Sequence, residues 1–244
     1  MEAASTEPVI SARNLGFKRG DRWIFRHLDL ELRAGSFLAL VGPSGVGKST
    51  LLSCLCGFRT PDEGEVHIRL PGQSSTSPRD LRRYFGIVFQ DLQLTAKADL
   101  LTNVLCGRLA RFTCLRTLFG FPHTQRLEAY RLLCELGVGQ NPHKWASQMS
   151  GGEQQRVAIA RTLFQQPHLY FADEPVSSLD SYYAGRVLGL LRQETAKPPK
   201  AVICVLHNAE HINRFADLAL SLNPNDPAGH KIRQIRSINM GAGI

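Results

Sequence analysis

The stretch Gly42-Pro43-Ser44-Gly45-Val46-Gly47-Lys48-Ser49 decides how the chain is read. It satisfies G-x-x-x-x-G-K-[ST], and its flanks fit the pattern. The apolar run Phe37–Val41 ends just before it, and helical spacing of Leu51, Leu52 and Leu55 comes after Lys48. Glycines let a backbone curl until successive N–H groups converge on phosphate oxygens, and the next helix adds its N-terminal dipole. In such a loop Lys48 reaches the β- and γ-phosphates, Ser49 binds Mg²⁺, and Thr50 completes the phosphate-facing set. The bland alternative is a glycine-rich turn that binds nothing, and the strand-loop-helix context argues against it.

Working outward, short apolar runs alternate with helix-like stretches, the pattern of an α/β protein. Strands are expected at 9–12, 23–32, 37–41, 87–89, 169–172, 201–206 and 218–222. The runs at 37–41, 169–172 and 201–206 are almost continuously apolar, as in strands buried on both faces of a parallel sheet. From 91 to 149 strand-like runs stop and broken helical patterns take over. The expected organisation is a single domain whose α/β core (1–90 and 150–222) accepts a helical subdomain at 91–149. The tail, 223–244, is rich in Pro, Asn and Gly and then basic, and has no assigned element.

Composition narrows the function. The 244 residues are 43% hydrophobic and 20% charged, which excludes wholesale disorder. There is no apolar run of about 18 residues to cross a membrane and no secretory pattern in the polar first eight positions, so a cytosolic location is expected. Six cysteines then read as reduced thiols, and the Cys54/Cys56 pair falls within a predicted helix, on different faces. The net charge is +8, but the arginines are dispersed, with groups at Arg79, Arg82, Arg83 and at Arg108, Arg111, Arg116. Without a dense basic run or aromatic-basic interleaving, no nucleic-acid partner is expected.

Two further motifs carry chemistry. Leu169-Tyr170-Phe171-Ala172-Asp173-Glu174 is a buried strand ending in two carboxylates. Downstream of a phosphate loop, Asp173 can hold the Mg²⁺ shell, and Glu174 can polarise a water at the γ-phosphate as general base. Met149-Ser150-Gly151-Gly152-Glu153-Gln154-Gln155-Arg156 opens a helix. Ser150 and Glu153 have capping-box spacing, and the glycines also expose backbone N–H groups to an anion.

The order of these motifs resembles the ATP-binding cassette ATPases of membrane transporters, over about residues 9–222. The resemblance implies an α/β P-loop ATPase core with a small antiparallel β region at the N-terminus, binding ATP and Mg²⁺. It makes Gln90 the glutamine that touches the metal and the attacking water and senses the permease. Ser150, Gly151 and Gly152, with Glu153 beside them, face the γ-phosphate of ATP held by a second subunit; Asp180, in Ser177-Ser178-Leu179-Asp180, crosses the dimer interface; His207 meets the γ-phosphate. This chain departs from the family in three ways. Glu153 stands where Gln is common, so its carboxylate must turn back into the capping box. Arg19 stands where an aromatic residue stacks on adenine, with Phe17 and Trp23 as substitutes. The tail lacks the usual glycine-rich closing strand.

The runs Leu101-Thr102-Asn103-Val104-Leu105-Cys106-Gly107-Arg108-Leu109 and Leu115-Arg116-Thr117-Leu118-Phe119-Gly120 resemble the helical subdomain of the phosphonate-importer branch; lipoprotein-release and macrolide-exporter ATPases are the alternative. The implied partners are a permease, a second identical ATPase subunit and a substrate-binding protein, with the chain peripheral on the cytoplasmic face of the membrane. A soluble cassette ATPase and a non-hydrolysing scaffold are the readings from other classes. The chain has neither tandem cassettes nor a long coiled-coil insertion for the first, and lacks none of the catalytic residues whose loss the second would need.

Overall fold

A computed structural model describes residues 7–111 and 120–236, so Cys114, Arg116 and most of the 115–120 run lie outside the described residues. The described chain divides into two compact units. The first comprises residues up to 85, 168–173 and from 192 onward; the second comprises 86–167 and 174–191. This grouping places 150–167 and 174–191 with the helical segment, whereas sequence reasoning assigns them to the core.

The first unit opens with an antiparallel hairpin, β1 (Ile10–Arg19) and β2 (Arg22–Leu32), to whose free side β4 (Glu63–Ile68) adds. Arg19 pairs with Arg22, so only Gly20 and Asp21 form the turn; glycine at the first of two central positions is the type II′ preference. The strands are irregular, with register shifts near Asn14, a left-handed residue (φ 48°).

The second sheet runs, within this unit, β6-β7-β3-β8-β9. Here β3 is Phe37–Val41, β6 Leu169–Ala172, β7 Ala201–Val205, β8 Leu218–Ser221 and β9 Lys231–Gln234. The first four are parallel neighbours, and β9 joins β8 antiparallel. All of β6 and β7 and most of β3 are buried, as the continuous apolar runs imply. Each such Leu, Ile or Val contributes about 1.5–3 kcal/mol on leaving water. Helix α1 (Lys48–Leu55) comes after β3, and α2 (Pro78–Leu81) is a single turn. Burial pushes the Cys54 and Cys56 thiols up to about 12 and about 11.

One carboxylate organises this sheet. Asp217, 2% exposed at the head of β8, accepts the Phe37 N–H (2.8 Å) and pairs with Arg192. Its backbone N–H donates to Phe37 O, and its carbonyl accepts from Ile235 N at the end of β9. The tail, unassigned from sequence, therefore returns as a strand, and also lies along β2 through an Arg26 N–H bond to Pro227 O (2.9 Å).

In the second unit, α3 (Leu100–Leu105), α4 (His123–Glu135) and α5 (Gly151–Gln165) pack on one another, and α6 (Ser181–Thr195) belongs to it through Leu191. Arg108, 5% exposed, holds a bidentate bond to Glu128 on α4 (2.6 Å each) with its guanidinium over Phe164 of α5. Strand β5 (Phe85–Val88) begins with the last residue of the first unit's opening segment and leads into the second. Among the described residues no helix is long and apolar enough to cross a membrane.

Asp217→Ala removes the acceptor for Phe37 N–H and leaves Arg192 without its partner. Because Arg192 is one-third exposed, a loss at the lower end for a broken buried pair, roughly 3 kcal/mol, is expected from urea unfolding midpoints. Asp217→Asn, which keeps an acceptor, should lose less; an unchanged midpoint for Asp217→Ala would contradict this role.

Candidate functional site

The phosphate loop leaves the C-terminal end of β3, which is hydrogen-bonded on both sides, Leu40 opposite Val205 and Val41 opposite Ser221. The chain then turns through Gly42, Gly45 and Gly47, all at positive φ. Gly47 has a second requirement: a Cβ there would stand 2.2 Å from Ile24 Cγ2. Lys48 is 5% exposed, and its ammonium donates to Gly42 O (2.9 Å) and Pro43 O (2.8 Å), across the mouth of the loop. Pro43, Ser44, Gly45 and Ser49 are exposed, whereas Val46 and Thr50 are buried. The open loop backbone and the Ser49 hydroxyl are thus on the surface while α1 is anchored beneath.

Asp173 and His207 come just after the C-terminal ends of β6 and β7, the next strands in the sheet. Ala172 pairs with Cys204. Burial, with the charge of Asp173 adding to it, pushes the Cys204 thiol well up. Phosphate loop, Asp173 and exposed His207 therefore share the strand-end edge where open α/β sheets bind ligands. The donors suit a hard cation: a serine hydroxyl and one carboxylate, with no group of three or more His, Cys, Asp or Glu among the described residues. Mg²⁺ is typically held this way, by one or two protein oxygens plus substrate phosphates.

Beside the loop lies a cavity of about 280 Å³ lined by Arg19, Arg22, Trp23 and Ile24 of the hairpin, Ser44, Gly45 and Val46 of the loop, and Pro224 of the tail. Arg22 donates to Pro224 O (3.4 Å), and Trp23 carries Lys18 and Arg26 cations 4.4 and 4.5 Å from its ring centre. Phe17 does not line the cavity; its ring lies 6.2 Å from that of Phe25, under the Arg59 guanidinium. Of the three residues considered for base stacking, Arg19 and Trp23 border the loop.

The remaining residues belong to the second unit. Gln90 is exposed in a turn after β5. Two residues further on, Leu92 and Gln93 are consecutive left-handed residues (φ 57° and 45°), and the Arg161 fork of α5 donates to both their carbonyls at 2.7 Å. Asn103 fixes the next part of the loop, its amide bonding the backbone of Thr95, Ala98 and Asp99.

At the start of α5 the capping box is complete. Glu153 N–H donates to Ser150 Oγ (3.3 Å), and Glu153 Oε2 accepts from Ser150 N–H (2.9 Å). That N–H holds the Glu153 carboxyl below its usual range, so the glutamate is turned back on the cap. Gly151 faces open space, whereas a Cβ on Gly152 would stand 2.8 Å from Ser178 O. Asp180 accepts from Tyr183 N–H (3.0 Å) at the head of α6.

Glu174 is left-handed at φ 51°, a costly conformation for a residue other than glycine. Its carbonyl accepts from Gln155 Nε2 (2.9 Å), and the other end of that amide accepts from Ser178 N–H (3.1 Å). Sequence reasoning assigns no role to Gln155 or Arg161. Their signal is six-residue spacing inside a helix whose apolar positions Val157, Ala160 and Leu163 draw attention first, and polar residues between such positions ordinarily read as solvated.

The chain matches the ABC transporter family over residues 25–177. It is 40% identical over 203 residues to the phosphonates import ATP-binding protein PhnC 2 of Nostoc sp., covering 83% of each chain. It is 42% identical over 198 residues to the phosphite import ATP-binding protein PxtA of Stutzerimonas stutzeri, covering 81% of this chain and 72% of that one. The dimeric post-hydrolysis structure of the ATP-binding cassette MJ0796, bound to ADP and Pi, superposes with a TM-score of 0.79 at 26% identity, over 94% of this chain and 100% of that one. Shared motif order, family match and cassette fold agree: the chain belongs to the ABC transporter family, as an ATP-binding, ATP-hydrolysing subunit that drives transport.

Proposed function

We propose that this ATPase powers import of phosphonates or closely related phosphorus oxyanions. The reading rests on relatives named for import of phosphonates and of phosphite, at 40% and 42% identity over about four-fifths of the chain. Those names favour it over the exporter alternative. A permease and a substrate-binding protein complete the transporter, and the ATPase sits peripherally on the cytoplasmic face.

Hydrolysis is carried by the strand-end cluster. The loop N–H groups and Lys48 would take the β- and γ-phosphates; Ser49 and Asp173 would hold Mg²⁺, with Gln90 a further ligand, and His207 would meet the γ-phosphate. The metal, when bound, would supply neutralisation of phosphate charge. Glu174 accepts a proton from the attacking water, and its left-handed backbone supports a positioned rather than merely solvated carboxylate. Two copies pair head-to-tail, each offering Ser150, Gly151 and Gly152 to the other's ATP, with Asp180 crossing the interface; the dimeric cassette at 26% identity supports this assembly.

Substitutions separate these roles. Glu174→Gln should lower steady-state hydrolysis roughly 10²–10⁴-fold while ATP still binds, and Lys48→Ala should lose ATP affinity instead. Near-parental turnover in the first, or unchanged titration in the second, contradicts the assignment. Arg19→Ala should weaken ATP binding by ~1 kcal/mol, the low end for base stacking, and Arg19→Tyr should keep or improve it. Phe17→Ala should leave affinity unchanged, and a loss there would move the base contact out of the cavity described. Finally, cells lacking the gene should fail to grow on methylphosphonate or phosphite as the only phosphorus source while growing on abundant phosphate. Undiminished growth on both would exclude the proposed substrate class.

A further inference from the structure

We propose that Gln155 is a positioning residue for hydrolysis: its one side-chain amide ties the backbone of Glu174 to that of Ser178, setting the aim of the carboxylate and the course of the adjoining loop together. The inference rests on the reading of Glu174 as general base. Gln155 is 4% exposed, so its amide is committed to partners inside the protein. Nε2 donates to Glu174 O at 2.9 Å, with Ser177 Oγ at 3.5 Å, and Oε1 accepts from Ser178 N–H at 3.1 Å. The direction of the amide is fixed by chemistry, because a carbonyl needs a donor and an N–H needs an acceptor. Glutamine is therefore the side chain that satisfies both ends.

Glu174 needs such a hold. A non-glycine residue at φ 51° persists only where its surroundings over-determine it. A second close approach, of Gly152 to the Ser178 carbonyl, brings the same loop against the first turn of α5. Gln155 is on that helix, five positions after the Ser150 cap. The segment that presents Ser150 and Gly151 and the segment that presents Glu174 and Ser177-Ser178-Leu179-Asp180 are thereby one hydrogen-bonded element. A shift of the loop on meeting a second copy of the chain would reach the Glu174 backbone through one side chain.

The experiment compares Gln155→Leu and Gln155→Glu in the complex with its permease, alone and combined with Glu174→Gln. Misplacing a reacting group by about 1 Å can cost 10²-fold, so kcat should fall roughly 10- to 100-fold in both single variants. ATP affinity should stay within about twofold, since Lys48 and the phosphate loop are untouched. On the Glu174→Gln background, adding Gln155→Leu should change the residual rate by less than about twofold, because the group it aims is gone. A general loss of structure would move ATP affinity and would remain on that background. Gln155→Glu keeps the acceptor for Ser178 N–H and withdraws only the donor to Glu174 O, so it answers the question even where Gln155→Leu folds poorly. Turnover within about twofold of parent in Gln155→Glu, or a full additional loss on the Glu174→Gln background, overturns the proposal. Parental turnover in Glu174→Gln itself would instead remove the base assignment on which the proposal stands.

Discussion

Hydrogen bonding of β3 to a parallel neighbour on each side decides where everything else can be. With β7 on one flank and β8 on the other, β3 cannot slide without breaking both ladders, so the residue at which the chain leaves the sheet is fixed at Val41. The buried Asp217 carboxylate sets the opposite end by taking the Phe37 N–H. The strand is pinned at both ends, and the phosphate loop starts at one place. The lysine, the serine and the anchored helix inherit their positions from that start.

The parallel strands and the loop were legible because burial on two faces leaves an unmistakable apolar run and because a phosphate-binding turn demands glycine at set intervals. In the antiparallel region β2 was equally legible, and what escaped was the length of β1 beyond Ala12 and the whole of β4. β1 extends through Arg13, Asn14, Lys18 and Arg19, and β4 contains Glu63, Gly64 and Glu65, so neither stretch carries a strong alternating signal. Those strands are specified by partners: Arg26 meets Glu63 at 2.8 Å and bulges absorb mismatched register. Closure by β9 was equally hidden, since its four residues are all exposed and its pairing with β8 is a non-local event. At the site, residues that meet a ligand through their own motifs could be nominated from order and spacing. Gln155 and Arg161 could not, because they act on backbone groups far along the chain and a carbonyl has no sequence identity.

Backbone strain is divided between the proposed chemistry and the rest of the described chain. Of six left-handed residues other than glycine, Glu174 is the proposed base, Leu92 and Gln93 lie just past Gln90, and Asn14, His27 and Gln166 stand elsewhere. Glu174 and the Leu92–Gln93 pair are each held by a side chain of α5, Gln155 for one and the Arg161 fork for the other. A helix that begins with the Ser150 cap thus supplies the bonds that keep two unfavourable conformations in place. The energetic cost of a strained loop is offset by well-bonded polar side chains, the buried Gln155 and the half-buried Arg161.

The cavity beside the phosphate loop has walls from distant parts of the covalent chain. Arg22 and Pro224, 202 positions apart, meet there, while the phosphate-facing residues come from one continuous segment between them. On the proposed reading, phosphate and base would be held by parts of the molecule that are synthesised far apart in time. A ribosome finishes the loop and α1 long before it delivers the segment that carries Pro224. During synthesis the phosphate loop is therefore complete while the cavity beside it still lacks its Pro224 wall, so the proposed base pocket would be the later half of the site to form.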